Sequence, residues 1–299
     1  MDSRNKRAQR MERITTAFTI LLLILPYVFC GILTVRIVKL ERRIDELQTD
    51  AHKSLEIVWE DAEVSAEKET DNKDVSFEEE NIPEQEIAEN VKRVYLTFDD
   101  GPSIYTRDIL DILKRYNVKA TFFVTGMNES KYDERLQEIV EEGHSLGIHT
   151  YSHVYSEVYK SLEDFKYDFN KIRDYIMEHT GEDVKLYRFP GGSGNGVVSY
   201  ETREQIMDWL EEEGVIYFDW NVSSGDGGSV IQEPEAIAER CIEGIKTRNT
   251  AIVLLHDAGG KKNTVEALPL IIEGINQLED TVLLPMDEET VAIQQISRE

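Results

Sequence analysis

From residue 91 onward the chain alternates short runs of β-branched and aromatic residues with longer amphipathic stretches, a texture that restricts it to β/α units around a parallel sheet. Strands are predicted over 94–98, 120–124, 145–148, 185–187, 215–218, 251–255 and 281–284. Helices are predicted between them over 106–116, 133–142, 161–180, 200–213, 234–247 and 264–278; Pro234 suits a first helical turn and Gly181 a helix C-terminus. Seven parallel strands in roughly 200 residues predict an α/β fold, a distorted (β/α)7 barrel short of the ~250 residues of the eight-stranded form. An open doubly wound sheet is the alternative.

Ahead of this domain the texture changes three times. Residues 14–35 carry no charge and include Ile20-Leu21-Leu22-Leu23-Ile24-Leu25, long enough to cross a hydrocarbon core of ~30 Å as a helix. A transmembrane helix is therefore expected over 14–38, behind a basic cytoplasmic tail at 1–13. Arg4, Lys6, Arg7, Arg10 and Arg13 favour that orientation, and Arg36, Lys39, Arg42 and Arg43 beyond the span weaken the bias. With no A-x-A cleavage signal, an uncleaved anchor is preferred; lipoprotein attachment at Cys30 is the alternative, disfavoured by bulky Tyr27-Val28-Phe29 in front of it.

Over 39–58 a short helical segment continues the span. Ile37, Leu40, Ile44, Leu47 and Ala51 make an a/d seam, so residues 37–58 either pair weakly with a second copy as a coiled coil or form a lone amphipathic helix. Residues 59–90 read as a disordered acidic tether, with thirteen acidic residues between 60 and 89 against Lys68 and Lys73. The catalytic-size domain then occupies 91–299. Its surroundings are constrained by charge: a formal net charge of −26, from 59 acidic and 33 basic residues, repels a phosphate backbone and excludes nucleic acid as the expected partner. Two cysteines, Cys30 and Cys241, cannot build a disulfide framework.

Position carries most of the chemical information. Asp99 and Asp100 follow the first predicted strand, His149 the third, Arg188 the fourth, Asp219 the fifth and His256 the sixth, and in parallel α/β architectures the C-terminal strand ends converge on one face. His149 and His153 are four apart, so one helical turn would bring both imidazoles to one side, as a metal site needs or as chance allows. Asp100 can complete a triad of two imidazoles and one carboxylate. Adjacent carboxylates at Asp99 and Asp100 share a cleft only if something separates their environments, such as a metal on one and a cation on the other. An ordinary Asp-Gly turn before Pro102 is the competing reading.

Thr97-Phe98-Asp99-Asp100-Gly101-Pro102, His149-Thr150-Tyr151-Ser152-His153, Arg188-Phe189-Pro190-Gly191-Gly192 and Leu254-Leu255-His256-Asp257 occur in the order seen in polysaccharide deacetylases with a NodB-homology domain, carbohydrate esterase family 4. The domain resembles that family from about residue 91 to residue 284. The resemblance implies a NodB-like distorted barrel, a divalent metal, expected to be zinc with cobalt, manganese or nickel as alternatives, and hydrolysis of N-acetyl groups on cell-wall sugars. It further implies that Asp100, His149 and His153 bind the metal, that Asp99 is the general base supported by Arg188, and that His256 protonates the leaving amine while Asp226 keeps it cationic. A backbone N–H near Gly191, just after Pro190, would meet the oxyanion; Trp220 and Leu254 would line the substrate pocket. Two departures stand out: Gly191 replaces a frequent tyrosine and Gly227 a frequent tryptophan, which predicts a more open groove.

These readings converge on a single-pass membrane enzyme, N-terminus cytoplasmic and catalytic domain outside the cell, that deacetylates peptidoglycan N-acetylglucosamine or N-acetylmuramic acid. An O-acetyl polysaccharide esterase, a chitooligosaccharide deacetylase and a catalytically silent wall-binding protein are the alternatives.

Overall fold

The computed structural model describes residues 91–127, 131–228 and 230–297. The predicted basic tail, span, coiled segment and tether all lie outside the described residues. Among the described residues no helix is long and apolar enough to cross a membrane.

Strand β1 (Lys92–Gly101) is buried on both faces, as expected of a central parallel strand written Val94-Tyr95-Leu96-Thr97-Phe98. It pairs in parallel with β2 (Thr121–Thr125) on one side and β7 (Thr250–His256) on the other. Beyond β2 come β3 (Ser145–Thr150), β4 (Leu186–Tyr187) and β5 (Ile216–Tyr217); beyond β7 lies β6 (Val222–Ser223). The order is therefore β5-β4-β3-β2-β1-β7-β6, with β8 (Thr281–Leu283) beside Lys92–Val94 at the start of β1. The connecting helices are α1 (Thr106–Arg115), α2 (Glu134–Glu141), the single turn α3 (Tyr155–Val158), α4 (Leu162–Thr180), α5 (Tyr200–Glu212), α6 (Pro234–Lys246) and α7 (Lys262–Asn276).

The two faces of the sheet bury different cores. Val94, Leu96 and Phe98 point outward into the large cluster that includes Leu113 of α1, Phe169 of α4, Cys241 of α6 and Leu268 of α7. Facing the other way, Tyr95, Phe123, Leu186, Phe218, Ile252 and Met286 form a separate cluster without a helical residue. A sheet whose inner face packs only against itself and its loops is curled, so the barrel reading holds over the doubly wound one. It is a half-barrel: among the described residues β5 and β6 end the hydrogen-bonded path without pairing with each other. Each fully buried Phe or Ile in such a core contributes about 1.5–3 kcal/mol.

Eight strands replace the predicted seven. β6 escapes prediction because two residues, Val222 and Ser223, carry no periodicity, and α3 because it is one turn long. The last segment, 291–297, lies along the open edge: Asp219 N–H donates to the Ile293 carbonyl at 2.7 Å, and the Tyr217 hydroxyl to the Ile296 carbonyl at 2.7 Å.

Candidate active site

The C-terminal ends of β1 and β3 bring the three predicted ligands together. One ligand atom from each of Asp100, His149 and His153 lies within 4.8 Å of the others. Asp100 Oδ1 is 3.2 Å from His153 Nε2 and 3.6 Å from His149 Nε2, yet it is buried and accepts no hydrogen bond. His149 Nδ1 lies 2.7 Å from the Arg188 carbonyl, which can only accept; the proton therefore sits on Nδ1 and the lone pair on Nε2, facing the cluster. Burial holds this imidazole neutral by pushing its pKa down to about 3. Lone pairs converging on an orphaned carboxylate oxygen fit a divalent cation and nothing the protein itself supplies.

The route to this cluster differs from the helical turn predicted by the four-residue spacing. His149 is on β3, and His153 lies in the following loop at φ 53°. Asp100 is also left-handed, at φ 72°, where the β1–β2 register shifts. Two ligands thus occupy a conformation that non-glycine residues adopt uncommonly, the kind of local cost that functional sites retain.

Asp99, on the inner face of β1, is buried, and Arg188 Nη1 donates to its Oδ1 at 2.9 Å. Its Oδ2 faces the ligand cluster, 4.0 Å from His149 Nε2. Burial pushes the Asp99 carboxyl up and outweighs the pull of Arg188 and His256 in the other direction. The Arg188 guanidinium is fully enclosed: it also donates to Thr97 Oγ1 at 2.6 Å and the Phe218 carbonyl at 3.0 Å, and lies over the Phe123 ring at 4.1 Å. Arg188 therefore steadies Asp99 with its side chain and His149 with its carbonyl.

His256 ends β7 as the register partner of Asp99. Its Nδ1 is 2.7 Å from Asp226 Oδ1, and its backbone N–H donates to Asp226 Oδ2 at 2.9 Å. Burial alone would lower the imidazole, but the Asp226 hydrogen bond and charge, with Asp99 and Asp100 behind them, raise it above 6.5. Asp226, although buried, is held below the usual carboxylate range by His256, Ser224 and Thr264. The carboxylate at Nδ1 thus favours the protonated form of this imidazole and leaves Nε2 free of it.

The residues expected to meet substrate are placed unevenly. Leu254 is on the inner face of β7, opposite Thr97, and belongs to neither apolar cluster. Gly191 is exposed at φ 77°, while Pro190 is buried with its carbonyl accepting from Tyr159. Trp220 is half-buried, packs against the inner cluster and lies 5.9 Å from the Arg188 guanidinium. At both glycines a neighbouring side chain stands close to the backbone. A Cβ on Gly227 would come within 2.7 Å of the His256 ring, and one on Gly191 within 3.1 Å of the Tyr155 ring and hydroxyl. A side chain at either position would therefore have to displace its neighbour.

Three buried carboxylates brace the site; of these the sequence marked only Asp219, by its place at a strand end. Asp168, on α4, accepts from the Thr150 hydroxyl and from the N–H groups of Tyr151 at 2.7 Å and Ser152 at 2.9 Å, fixing the loop between the two histidines. Its signal is an acid on a helix face otherwise written Phe165, Phe169 and Ile172. Asp257 accepts from Ser103 at 2.5 Å and Thr106 at 2.6 Å and donates its N–H to the Asp99 carbonyl. Asp219 accepts from Ser193 N–H and Gln295 N–H, each at 2.7 Å, tying the Gly191 loop to the C-terminal segment.

Comparison with known proteins gives one family. Residues 86–208 match the model described as polysaccharide deacetylase. The catalytic domain of a peptidoglycan N-acetylglucosamine deacetylase from Eubacterium rectale ATCC 33656 is 35% identical, with a TM-score of 0.66 over 71% of this chain and 96% of that one. A Streptococcus mutans CE4 esterase is 30% identical, with a TM-score of 0.55 over 64% of this chain and 85% of that one. A peptidoglycan-N-acetylglucosamine deacetylase of Bacillus cereus is 31% identical over 189 residues, 62% of this chain and 66% of its own length.

Proposed function

The chain belongs to the polysaccharide deacetylase family, and from that premise we propose that it removes the N-acetyl groups of peptidoglycan N-acetylglucosamine. One observation carries the reading: a ligand trio, a buried carboxylate aimed at it, and a histidine–carboxylate pair meet at the ends of β1, β3 and β7. The relatives named for peptidoglycan N-acetylglucosamine support the choice of sugar.

Asp100, His149 and His153 would hold a divalent cation, zinc being favoured by two imidazoles and a carboxylate. When bound, the ion supplies Lewis acidity toward the acyl oxygen and a more acidic water. Asp99 takes the proton of the attacking water on Oδ2, since Oδ1 is engaged by Arg188. The Gly191 N–H meets the oxyanion. His256 delivers its proton from Nε2 to the departing amine, because Nδ1 is committed to Asp226. The amine leaves neutral and the C–N bond breaks. Residues 14–38 would anchor this domain at the membrane, with the acidic stretch carrying it outward; the uncharged run in the sequence supports that placement.

The test is to incubate the full chain with peptidoglycan fragments that carry both N-acetyl and O-acetyl groups and follow acetate and free amine together. Both should rise in equal amounts. Acetate without amine would convert the reading to an O-acetyl esterase, which the Streptococcus mutans relative favours by its name; neither product would overturn it.

A further inference from the structure

Tyr155 opens α3 two residues after His153 and is half-buried. Its ring stands edge-on to His153, with centroids 5.4 Å apart at 70°, and to Tyr159, 5.9 Å apart at 79°. Tyr159 is itself fixed, buried and donating its hydroxyl to the Pro190 carbonyl at 2.9 Å. One residue therefore braces both the Tyr155 ring and the chain that leads into Gly191. A Cβ on Gly191 would lie 3.1 Å from Tyr155 Cε2 and 3.1 Å from its hydroxyl, so the phenol occupies the slot above that glycine. The hydroxyls of Tyr116 and Tyr175 donate to carboxylates, each at 2.6 Å; among the described residues the Tyr155 hydroxyl has no partner.

We propose that Tyr155 is a sugar-contacting residue. Its ring forms the wall above Gly191, and its hydroxyl hydrogen-bonds a hydroxyl of the N-acetylated hexosamine whose acetamido group reaches Asp100, His149 and His153. This rests on the proposed function for the class of sugar. A phenol ionises near pH 10, so at neutral pH it both donates and accepts, as sugar hydroxyls require. Its apolar edge suits the C–H face of a pyranose. Being half-exposed, the hydroxyl exchanges a water for the sugar. It touches a part of the substrate that does not react, so its contribution falls on ground-state binding.

The experiment uses the full chain and the N-acetylglucosamine tetramer. Calorimetric titration in an Asp99→Asn background, where turnover is stopped, compares Tyr155 with Tyr155→Phe. The Phe variant should bind about five- to tenfold more weakly, the range of one neutral hydrogen bond. In the otherwise native chain the same substitution should raise KM by a similar factor, leaving kcat within about twofold and metal content unchanged. Equal affinity and equal KM would overturn the proposal, as would a fall in kcat at constant KM, which would put the hydroxyl on the reacting acyl oxygen. Weaker tetramer binding by the Phe variant of a chain that releases no acetate would sink the deacetylase reading while leaving this one intact. Equal acetate release and equal KM in both forms would do the reverse.

Discussion

Replacing Asp226 with Asn removes the charge behind His256 while keeping the size of the side chain. In the structure the two groups are 2.7 Å apart, with side chains 2% and 16% exposed, so solvent screens the pair poorly. A charge-assisted hydrogen bond of this kind contributes about 1.5–3 kcal/mol, which corresponds to roughly one to two pH units. Burial lowers the His256 pKa, and Asp226, with Asp99 and Asp100 behind it, raises it; without the Asp226 carboxylate the largest raising influence is gone and the folded value falls. The imidazole must be protonated to release the amine, so the alkaline limb of kcat against pH should move down by about one to two units. The acidic limb, set by Asp99, should move far less, since the Asp226 charge is the last among the influences on that carboxyl. Asp226 also accepts from Thr264 at 2.9 Å, and Thr264→Val, which removes that bond without a charge, should barely move the limb. Amine release by the metal-saturated enzyme across the pH range measures both. A uniform fall in kcat with an unmoved alkaline limb would refute the role given to the pair. Stability has its own window. His256, raised in the fold, stabilises below pH 6.5 and loses this as pH rises through its folded value; Asp226, lowered, stabilises above pH 3.8 and loses this as pH falls through its own. The Tm deficit of Asp226→Asn should therefore be largest between those limits.

Asp99→Asn should cut turnover about 10²–10⁴-fold yet retain metal by elemental analysis, whereas His149→Ala should lose both; metal loss in the first variant would overturn the division of roles. Arg188→Met leaves the Asp99 carboxylate buried and unpaired, at a cost of about 3–5 kcal/mol in denaturant unfolding. An unchanged midpoint would mean that Asp99 is protonated in the fold. Gly227→Ala should displace the His256 ring, which lies 2.7 Å from the new Cβ, lowering kcat with metal content intact. Normal turnover in that variant would refute the dependence of amine release on the position of the His256 ring.

Much of this arrangement is legible in the sequence. All seven predicted strands are present, because Val94-Tyr95-Leu96 and Ala251-Ile252-Val253 are buried on both faces and read as continuous apolar runs. The convergence of Asp99, His149, Arg188 and His256 followed from their places at strand ends. What stayed hidden depends on contacts between distant segments. The four-residue spacing of the histidines suggested a helix, where the chain instead uses left-handed turns at Asp100 and His153. Nothing local to Gly191 and Gly227 says that Tyr155 and His256 will lie against them. Asp168 and Asp257 carry no reactive spacing, and only the fold shows that they hold the loops in place.

The C-terminal segment along the open edge has a practical consequence for anyone engineering this chain. Gln295 and Ile296 reach, through Asp219 and the Ser193 hydroxyl, the same loop that presents Gly191. Trimming the chain behind residue 290, or fusing a bulky partner that tugs on it, would slacken the Gly191 loop from the rear. Tags are better carried at the other terminus.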